Sequence, residues 1–512
     1  MLADPRRLGS LALVALASCA SVDWEAPKEA SFALDPEENT SLSRFVAGLP
    51  AHRDDEAGFY LLSNSLEAFS ARLLLADAAE RTLDVQYYIL HADTTGALFL
   101  GSLLNAADRG VRVRLLLDDF NAAGYDEGLA GLDAHPHCEV RMWNPFAHRD
   151  WRSLDMLGDT WRIDRRMHNK SMTSDNQASI IGGRNIGEEY FARRMDWNFG
   201  DLDVLGFGSF AHEVSASFDE YWNHRLAVPM DALFDEGAAI DEAALTQLRA
   251  WIAEQIESER ASEYGRALLT TIEDFMDGNG QDLVFGPYEF HVDPPDKGLT
   301  DRSKDLVFIG EGLRRAVEAA QRQLFVISPY FVPMDEGTDW LVGLEESGIE
   351  VTILTNSLAS NDNPAVHSGY APHRERLLAG GVELYEMRTD VEMPARSEFK
   401  LGRSGSSLHA KAFVVDDRSL FVGSFNWDPR SAKTNTELGV MIHDMALSDS
   451  VLQGLVGALP ELAYEVVLTE DGLRWIDSSG DEPVTFDDEP GAGFWRRTAA
   501  DLIEWVPIDE WL

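Results

Sequence analysis

The feature that most constrains the fold is an internal repeat of about 240 residues. "AADRGVRVRLLLDD" in the first half matches "LEESGIEVTILTNS" in the second, and each reads as a helix end, a glycine and a β-branched strand. In both halves the predicted elements follow the order strand, helix, strand, and the matching stretch covers the end of the helix and the second strand. This order predicts a parallel strand pair with a right-handed crossover. A repeat this long is not a solenoid unit, so the chain is predicted to be a duplicated α/β domain.

A second pair of matching stretches carries polar residues of catalytic type. "MHNKSMTSDNQASIIGGRN" and "LHAKAFVVDDRSLFVGSFN" share the pattern H-x-K-x-x-x-x-D, followed by G-x-x-N at the same distance. One such pattern is a modest signal, but its recurrence at the equivalent place in the repeat favours a functional origin. The shared residues are His168, Lys170, Asp175, Gly182 and Asn185 in the first half, and His409, Lys411, Asp416, Gly423 and Asn426 in the second.

Each stretch is predicted to form a hairpin, with an apolar strand, a polar turn and a second apolar strand. The histidine and the lysine are two positions apart, so their side chains leave one face of the strand. Two hairpins related by a pseudo-twofold axis would bring two histidines and two lysines into one pocket between the halves. Such a pocket suits phosphodiester transfer without a metal: one imidazole attacks phosphorus and the other protonates the departing oxygen. The lysines and the asparagine amides would stabilise the charge on the phosphoryl oxygens.

A nucleophilic imidazole must be neutral and held in one tautomer, which calls for a carboxylate behind it. Asp201 and Glu437 occupy matching places in the two halves and are candidates, with Asp203 and Asp196 as alternatives in the first half. Ser424, beside the second glycine, is a further supporting candidate. The motif aspartates lie at the far ends of their strands, where we expect them to fix the hairpins rather than to touch substrate.

These motifs, with "LDVQYYI", "GGRNIG", "SPYFVP" and "GSFNWDPRS…NTELG", resemble the phospholipase D superfamily and its bacterial cardiolipin synthases of the C type. The resemblance extends from about residue 65 to the end. It implies an α/β fold of two duplicated lobes, each a mixed sheet flanked by helices, with the active site between them. It also implies a catalytic set of the six motif residues, a phosphohistidine on His168, His409 as general acid and base, and neither a metal nor an organic cofactor.

In this branch the reaction is transfer of a phosphatidyl group between phospholipids, so phosphatidylglycerol and phosphatidylethanolamine are the expected substrates. A hydrolytic phospholipase D that releases phosphatidic acid is the main alternative, since the outcome depends on access of water to the intermediate. A nucleic-acid phosphodiesterase and a non-catalytic envelope lipoprotein rank lower. With 43 basic and 88 acidic residues, the net charge of −45 opposes binding to nucleic acid.

The first residues, "MLADPRRLGSLALVALASCAS", predict export. Two arginines precede an apolar run of the length expected for a secretory signal, and the run is too short to span a bilayer. Leu16 to Cys19 resembles the bacterial lipobox, which implies acylation of Cys19 and a lipid-anchored protein. Ala20 and Ser21 differ from the inner-membrane retention signal. The prediction is therefore an envelope protein that faces the periplasm, at the outer rather than the inner membrane.

The sequence divides into six predicted segments. A tether follows the signal peptide, and a segment of helical character separates the two lobes. The boundaries are signal peptide 1–18, tether 19–64, first lobe 65–225, helical insertion or linker 226–295, second lobe 296–470, and C-terminal segment 471–512.

Overall fold

A computed structural model describes residues 21–36, 38–50, 53, 55–149, 151–194, 198–234, 241–276, 278, 283–299, 308–389 and 406–493. The predicted signal peptide and Cys19 lie outside the described residues. Within the described ranges, the longest apolar helices fall short of what is needed to cross a membrane.

The strands of the described residues are numbered in chain order. Those of the first half are β1 Glu56–Leu62, β2 Thr82–Tyr87, β3 Arg112–Asp118, β4 Cys138–Trp143, β5 Ser171–Ser174, β6 Ala178–Gly182, β7 Asn198–Gly200, β8 Asp203–Phe207 and β9 Ala227–Pro229. The others are β10 Val284–Val292, β11 Gln323–Ile327, β12 Glu350–Asn356, β13 Glu383–Met387, β14 Ser406–Leu408, β15 Ala412–Val415, β16 Ser419–Gly423, β17 Leu438–Ile442, β18 Ala463–Thr469, β19 Gly472–Asp477 and β20 Val484–Phe486.

The α-helices are numbered in the same way. They are α1 Ser41–Gly48, α2 Ser65–Ala78, α3 Thr94–Asp108, α4 Asp126–Asp133, α5 Thr160–Ile163, α6 Ser209–Asn223, α7 Glu242–Glu259, α8 Glu263–Met276, α9 Phe308–Glu318, α10 Met334–Glu346, α11 Pro364–Tyr370, α12 Arg374–Ala379, α13 Pro429–Lys433 and α14 Met445–Leu462.

The strand order repeats between the halves. The first half runs β9-β4-β3-β2-β5-β6-β8 and the second runs β18-β13-β12-β11-β15-β16-β17. In each half three strands are parallel, and the first strand of the motif hairpin pairs antiparallel with one of them. The strands β2 and β3 are almost wholly buried because helices cover both faces, and their buried charges are paired, as Arg114 is with Asp84 at 2.7 Å. The prediction of a duplicated α/β fold with mixed sheets is confirmed.

Two strands that the sequence did not predict join the halves into one sheet. Strand β10 pairs with β1 through residues 284–287 and with β17 through residues 288–292, and β1 pairs in turn with β8. The segment 226–295 therefore contains a central strand as well as helices. Its helices α7 and α8 pack on the first lobe, where Leu248, Ile252 and Leu268 are buried.

The segment predicted as a tether lies on the first lobe where it is described. The guanidinium of Arg114 donates to the carbonyl oxygen of Ser31 at 2.8 Å, and Nδ2 of Asn176 donates to that of Leu34 at 2.8 Å. Buried polar groups need hydrogen-bond partners, and residues 21–36 supply further acceptors to these donors of the lobe. Composition alone could not show this, because a polar stretch that satisfies buried donors resembles a flexible linker.

Candidate active site

The two motif hairpins, β5–β6 and β15–β16, end in equivalent turns. Asp175 and Asn176 have φ values of 50° and 54°, and Asp416 and Asp417 have 55° and 53°. Asp and Asn adopt the left-handed region more readily than other non-glycine residues, which accounts for their presence here. The turns lie at the ends of the hairpins opposite the histidines.

Each motif aspartate holds the start of the neighbouring parallel strand. The carboxylate of Asp175 accepts hydrogen bonds from the backbone N–H groups of Glu80, Arg81 and Thr82 at 3.0, 2.8 and 2.9 Å. The carboxylate of Asp416 accepts in the same way from the N–H groups of residues 321, 322 and 323 at 2.8, 2.8 and 3.1 Å. The geometry matches the expectation that both aspartates fix the hairpins, and it leaves neither carboxylate near a histidine ring.

The histidine of the first half is held by a carboxylate of the second. Nδ1 of His168 lies 2.9 Å from Oε2 of Glu437, and the backbone N–H of His168 donates to the carbonyl oxygen of Thr436 at 2.9 Å. His168 is 8% exposed and Glu437 is fully buried. A hydrogen bond at Nδ1 fixes the ring and directs Nε2 away from the carboxylate.

The histidine of the second half is held by a carboxylate of the first. Nδ1 of His409 lies 2.6 Å from Oδ2 of Asp201, and the N–H of His409 donates to the carbonyl oxygen of Gly200 at 2.8 Å. The alternative, Asp203, instead pairs with Arg72 and Arg184, and Asp196 lies outside the described residues. The sequence identified both carboxylates but not their exchange between the halves, because pairing across 208 and 269 positions leaves no local signal.

The two carboxylates differ in their support. Glu437 accepts hydrogen bonds from the hydroxyls of Ser424 at 2.5 Å and Ser431 at 2.7 Å. In the first half, Gly183 stands where the second half has Ser424, and a Cβ there would meet Oδ1 of Asp201 at 2.1 Å. The shorter aspartate thus requires a glycine beside it, while the longer glutamate is held by two hydroxyl groups.

The lysines fold back toward their own histidines. Nζ of Lys170 donates to the carbonyl oxygen of His168 at 2.5 Å, and Nζ of Lys411 donates to that of His409 at 2.5 Å. Burial lowers the pKa of Lys170 to about 7 and that of Lys411 to about 8, although nearby carboxylates oppose the shift. Both residues precede their strands rather than lying within them, since β5 begins at Ser171 and β15 at Ala412.

Both imidazoles are held neutral near physiological pH. Burial lowers the pKa of His168 to about 4, with Lys170 acting in the same direction and Glu437 opposing. Burial, Lys411 and Lys170 together place the pKa of His409 well below its ordinary value. A neutral imidazole with Nδ1–H directed at a carboxylate presents a lone pair at Nε2, which is the form required of a nucleophile.

The two carboxylates also differ in the direction of their pKa shifts. Burial disfavours the charged form of Glu437, but its hydrogen bond with His168 and the charge of Lys170 lower its pKa below the ordinary value. For Asp201, burial raises the pKa even though Lys411 and Arg184 oppose it. Glu437 is therefore the better partner for a histidine that becomes positively charged.

The two asparagines contact the site in different ways. Nδ2 of Asn185 donates to the hydroxyl of Tyr190 at 3.0 Å, and its Oδ1 accepts from the N–H of Ile89 at 3.1 Å. Its amide is thus already engaged. Oδ1 of Asn426 is buried and has no hydrogen-bond partner among the described residues, and its backbone N–H donates to Ser431.

Several contributors to the site were not predicted from the sequence. The ring of Tyr88 lies edge-on to His168 at 5.0 Å, and that of Tyr190 lies edge-on to His409 at 5.2 Å. Asp293, buried beside Lys297 at 2.7 Å, accepts from the backbone N–H of Glu437 at 2.9 Å. The aromatic runs and "HVDPPDK" offer no spacing that links them to the motifs, so only the fold shows their role.

One group of side chains has the composition of a metal site. Ligand atoms of His91, Asp93 and Glu189 lie within 4.8 Å of one another. However, the carboxylate of Asp93 already caps helix α3 by accepting from Gly96, and it also accepts from the N–H of Glu188. His91 pairs with Glu189 at 3.2 Å. These three residues therefore form a helix cap beside an ion pair.

Comparison with known proteins decides the family. Residues 74–222 and 313–455 match the family model described as cardiolipin synthase, PLD-like domain. The chain is 37% identical to cardiolipin synthase C of Escherichia coli (strain K12) over 478 residues, covering 92% of this chain and 99% of that protein. The chain belongs to this family. It is also 32% identical to an uncharacterized protein of Helicobacter pylori (strain J99), over 93% of this chain and 92% of that protein.

A solved structure shows the same fold. The crystal structure of phosphatidylserine synthase from Haemophilus influenzae Rd KW20 superposes with a TM-score of 0.58 at 13% identity, covering 90% of this chain and 97% of that one. The predicted membership of the phospholipase D superfamily is confirmed, as is the two-lobed fold. The chain is an enzyme of this superfamily, and phosphatidyl transfer in phospholipid metabolism is its reaction class. A phosphohistidine mechanism is typical of this family.

Proposed function

We propose that the enzyme makes cardiolipin, with phosphatidylglycerol and phosphatidylethanolamine as substrates and His168 as the nucleophile. The observation that carries this proposal is the pair of crossed contacts, His168 with Glu437 at 2.9 Å and His409 with Asp201 at 2.6 Å, in one buried site. The named function of the Escherichia coli relative supports the substrate class. Two buried lysines supply a local positive charge in a protein of net charge −45, as an anionic substrate requires.

In the first step, Nε2 of His168 forms a bond to phosphorus and the bond from phosphorus to the headgroup oxygen breaks. His409 gives its proton to that oxygen. In the second step, an acceptor hydroxyl gives a proton to His409 and attacks phosphorus, and the bond to His168 breaks. His409 must be protonated at the start, and the negative charge of a bound phosphodiester raises its pKa to allow this. Lys170 and Lys411 stabilise the charge on the phosphoryl oxygens.

The choice of His168 rather than His409 as nucleophile has support beyond the family pattern. A phosphorylated imidazole that keeps its Nδ1–H is positively charged, so its partner carboxylate must be ionised. Glu437 meets this requirement better than Asp201, because its pKa is lowered and two serine hydroxyls donate to it. Asp175 and Asp416 act through the hairpins and not on substrate.

The lipid product profile tests the proposal. Purified full-length enzyme is incubated with vesicles of labelled phosphatidylglycerol, with and without phosphatidylethanolamine, and the lipids are analysed by mass spectrometry. Cardiolipin is the expected product. Accumulation of phosphatidic acid without cardiolipin would identify the hydrolytic phospholipase D instead, with water as the acceptor. The His168→Ala variant controls for contaminating activity.

We also propose that the enzyme is exported and anchored by lipid on Cys19, facing the periplasm from the outer membrane. This rests on the lipobox-like "LASC" and on the absence of an aspartate after the cysteine. Separation of inner and outer membranes tests it. The Cys19→Ser variant should leave the outer-membrane fraction, and an unchanged distribution would contradict the anchor. The boundaries of the two lobes, with segments 19–64, 226–295 and 471–512 outside them, stay a prediction.

A further inference from the structure

A tyrosine and an aspartate form an isolated pair at the second lobe. The hydroxyl of Tyr330 donates to the carboxylate of Asp362, with its oxygen 2.9 Å from Oδ1 and 3.0 Å from Oδ2. Tyr330 follows strand β11, and Asp362 lies in the loop after strand β12. Asp362 is exposed, and within the described ranges no lysine, arginine or histidine forms an ion pair with it.

The tyrosine is fixed next to the second motif. The hydroxyl of Ser328 donates to the carbonyl oxygen of Tyr330 at 2.7 Å and accepts from the backbone N–H of Trp427 at 2.9 Å. Trp427 directly follows Asn426, the last residue of the motif. The position of Tyr330 is therefore coupled to the segment that lines the active site.

The strand that leads to the aspartate is fixed beside His409. Nδ2 of Asn356 donates to the carbonyl oxygen of Leu408 at 2.9 Å, and the N–H of Leu408 donates to Oδ1 of Asn356 at 2.9 Å. Leu408 directly precedes His409, and Asn356 ends the strand whose loop carries Asp362. This double hydrogen bond sets the loop at the border of the site.

Electrostatic interactions agree with this placement. Burial is the main cause of the lowered pKa of Lys411, and Asp362 is among the carboxylates that oppose the shift. Burial is likewise the main cause of the raised pKa of Tyr190, and Asp362 adds to it. Lys411 and Tyr190 both contact His409. The carboxylate of Asp362 therefore acts on the side of the site where the departing headgroup is protonated.

An exposed carboxylate near a phosphate site repels an anionic substrate unless the substrate also carries a cation. The face of a tyrosine ring and a carboxylate together form a favourable environment for an ammonium group. We propose that Tyr330 and Asp362 bind the ammonium group of a zwitterionic donor headgroup, such as ethanolamine. The inference rests on the proposed function and assigns residues that select the donor lipid.

Binding of the ammonium group does not change the bonds that form and break in the proposed reaction. The phosphorus–oxygen bond to the amino alcohol breaks, the bond from His168 to phosphorus forms, and His409 supplies the proton to the alcohol oxygen. The ammonium group takes no part in bond making. It places the leaving oxygen on the side of His409, and this positioning is what Asp362 contributes.

The test compares phosphatidylethanolamine with its N-acetyl derivative, which has the same phosphodiester but no positive charge. Release of the headgroup from mixed micelles gives kcat/KM for each donor with full-length enzyme. We expect the wild type to prefer the charged donor about tenfold, and Asp362→Asn to reduce that ratio to about twofold or less. An unchanged ratio in Asp362→Asn, or equal losses with both donors, would overturn the inference.

Two further variants complete the design. Asp77→Asn removes an exposed carboxylate of the first lobe, 82% exposed, and should leave the ratio at the wild-type value. Tyr330→Phe keeps the ring but loses the hydroxyl, and should lower the ratio less than Asp362→Asn does. Phosphatidylglycerol alone serves as a second donor in the wild type. If cardiolipin forms neither from phosphatidylglycerol alone nor from phosphatidylglycerol with phosphatidylethanolamine, the proposed function fails. Cardiolipin formation with an unchanged donor ratio refutes only the ammonium site.

Discussion

Glu437, from the second half of the repeat, contacts Nδ1 of His168, from the first half, at 2.9 Å. Conversely, Asp201 of the first half contacts Nδ1 of His409 of the second half at 2.6 Å. Each half thus supplies the histidine of one pair and the carboxylate of the other, so the halves are catalytically interdependent. The site can form only where the two motif hairpins meet, and strand β10, which pairs with both halves, helps to hold them there.

The first prediction concerns Glu437→Gln. The amide cannot stabilise a positively charged phosphohistidine, so kcat should fall about 10²- to 10⁴-fold, as for other carboxylates that orient a catalytic histidine. Headgroup release from phosphatidylglycerol measures the effect. The matched variant Asp201→Asn should slow steady-state turnover yet leave the attack by His168 fast when the donor has a good leaving group. If both variants slowed the attack by His168 and steady-state turnover to the same extent, the different roles assigned to Glu437 and Asp201 would be contradicted.

Gly183→Ala tests the close approach of Asp201. The new Cβ would lie 2.1 Å from Oδ1 of Asp201 and 2.8 Å from its carboxyl carbon, so the carboxylate must move away from His409. We expect at least a tenfold loss of kcat with a folded protein, measured by turnover and circular dichroism. Ser424→Ala, at the equivalent position, removes the hydroxyl that donates to Glu437 and accepts from the N–H of Leu438, but it introduces no clash and should cost less. Wild-type activity in Gly183→Ala would show that the placement of Asp201 is not needed.

Asp175→Ala should affect stability more than chemistry. It removes a buried carboxylate that accepts three backbone hydrogen bonds and leaves those donors unsatisfied, at a cost of about 2–4 kcal/mol. Thermal and urea unfolding measure the loss, and Asp175→Asn, which keeps one oxygen, should lose less. Soluble Asp175→Ala protein with wild-type stability but no activity would instead place the residue in the chemistry.

The pH dependence of kcat/KM follows from the pKa values of the buried histidines and lysines of the site. His168 is neutral above its pKa of about 4, so activity should fall as pH drops through that value. Lys170 and Lys411 lose their charge as pH rises through about 7 and 8, and His409 loses the proton that the first step requires, so activity should also fall on the basic side. A bell-shaped profile with an optimum between about pH 5 and 7 is expected for the free enzyme. A rate that still rises at pH 9 would contradict charged lysines as a requirement.

The sequence was sufficient for those parts of the fold that depend on local patterns. The parallel strands β2, β3, β11 and β12 are recognisable because each carries apolar or β-branched residues at its centre and lies next to a predicted helix. The hairpins follow from the Asp-Asn and Asp-Asp turns. The repeated motif was sufficient to predict that both histidines belong to one site, since hairpins at equivalent positions of the two halves can face each other across a pseudo-twofold axis.

Other features depend on contacts distant in sequence. Strand β10, "VFGPYEFHV", is only partly buried and contains proline and glycine, so its pattern resembles a linker although it pairs with both halves. The exchange of Asp201 and Glu437 between the histidines is a property of how the halves face each other. The docking of residues 21–36 depends on buried donors such as Arg114, whose need for acceptors is invisible until the lobe is folded.

The covalent intermediate is the most direct test of the central claim. A phosphatidyl ester of p-nitrophenol needs no acid to expel its leaving group, so His409→Ala should release about one equivalent of nitrophenolate per active site and then stop. Mass spectrometry of the quenched protein should find the phosphatidyl group on His168. His168→Ala should give no burst. A burst in His168→Ala, or a phosphatidyl group on another residue in place of His168, would contradict the account.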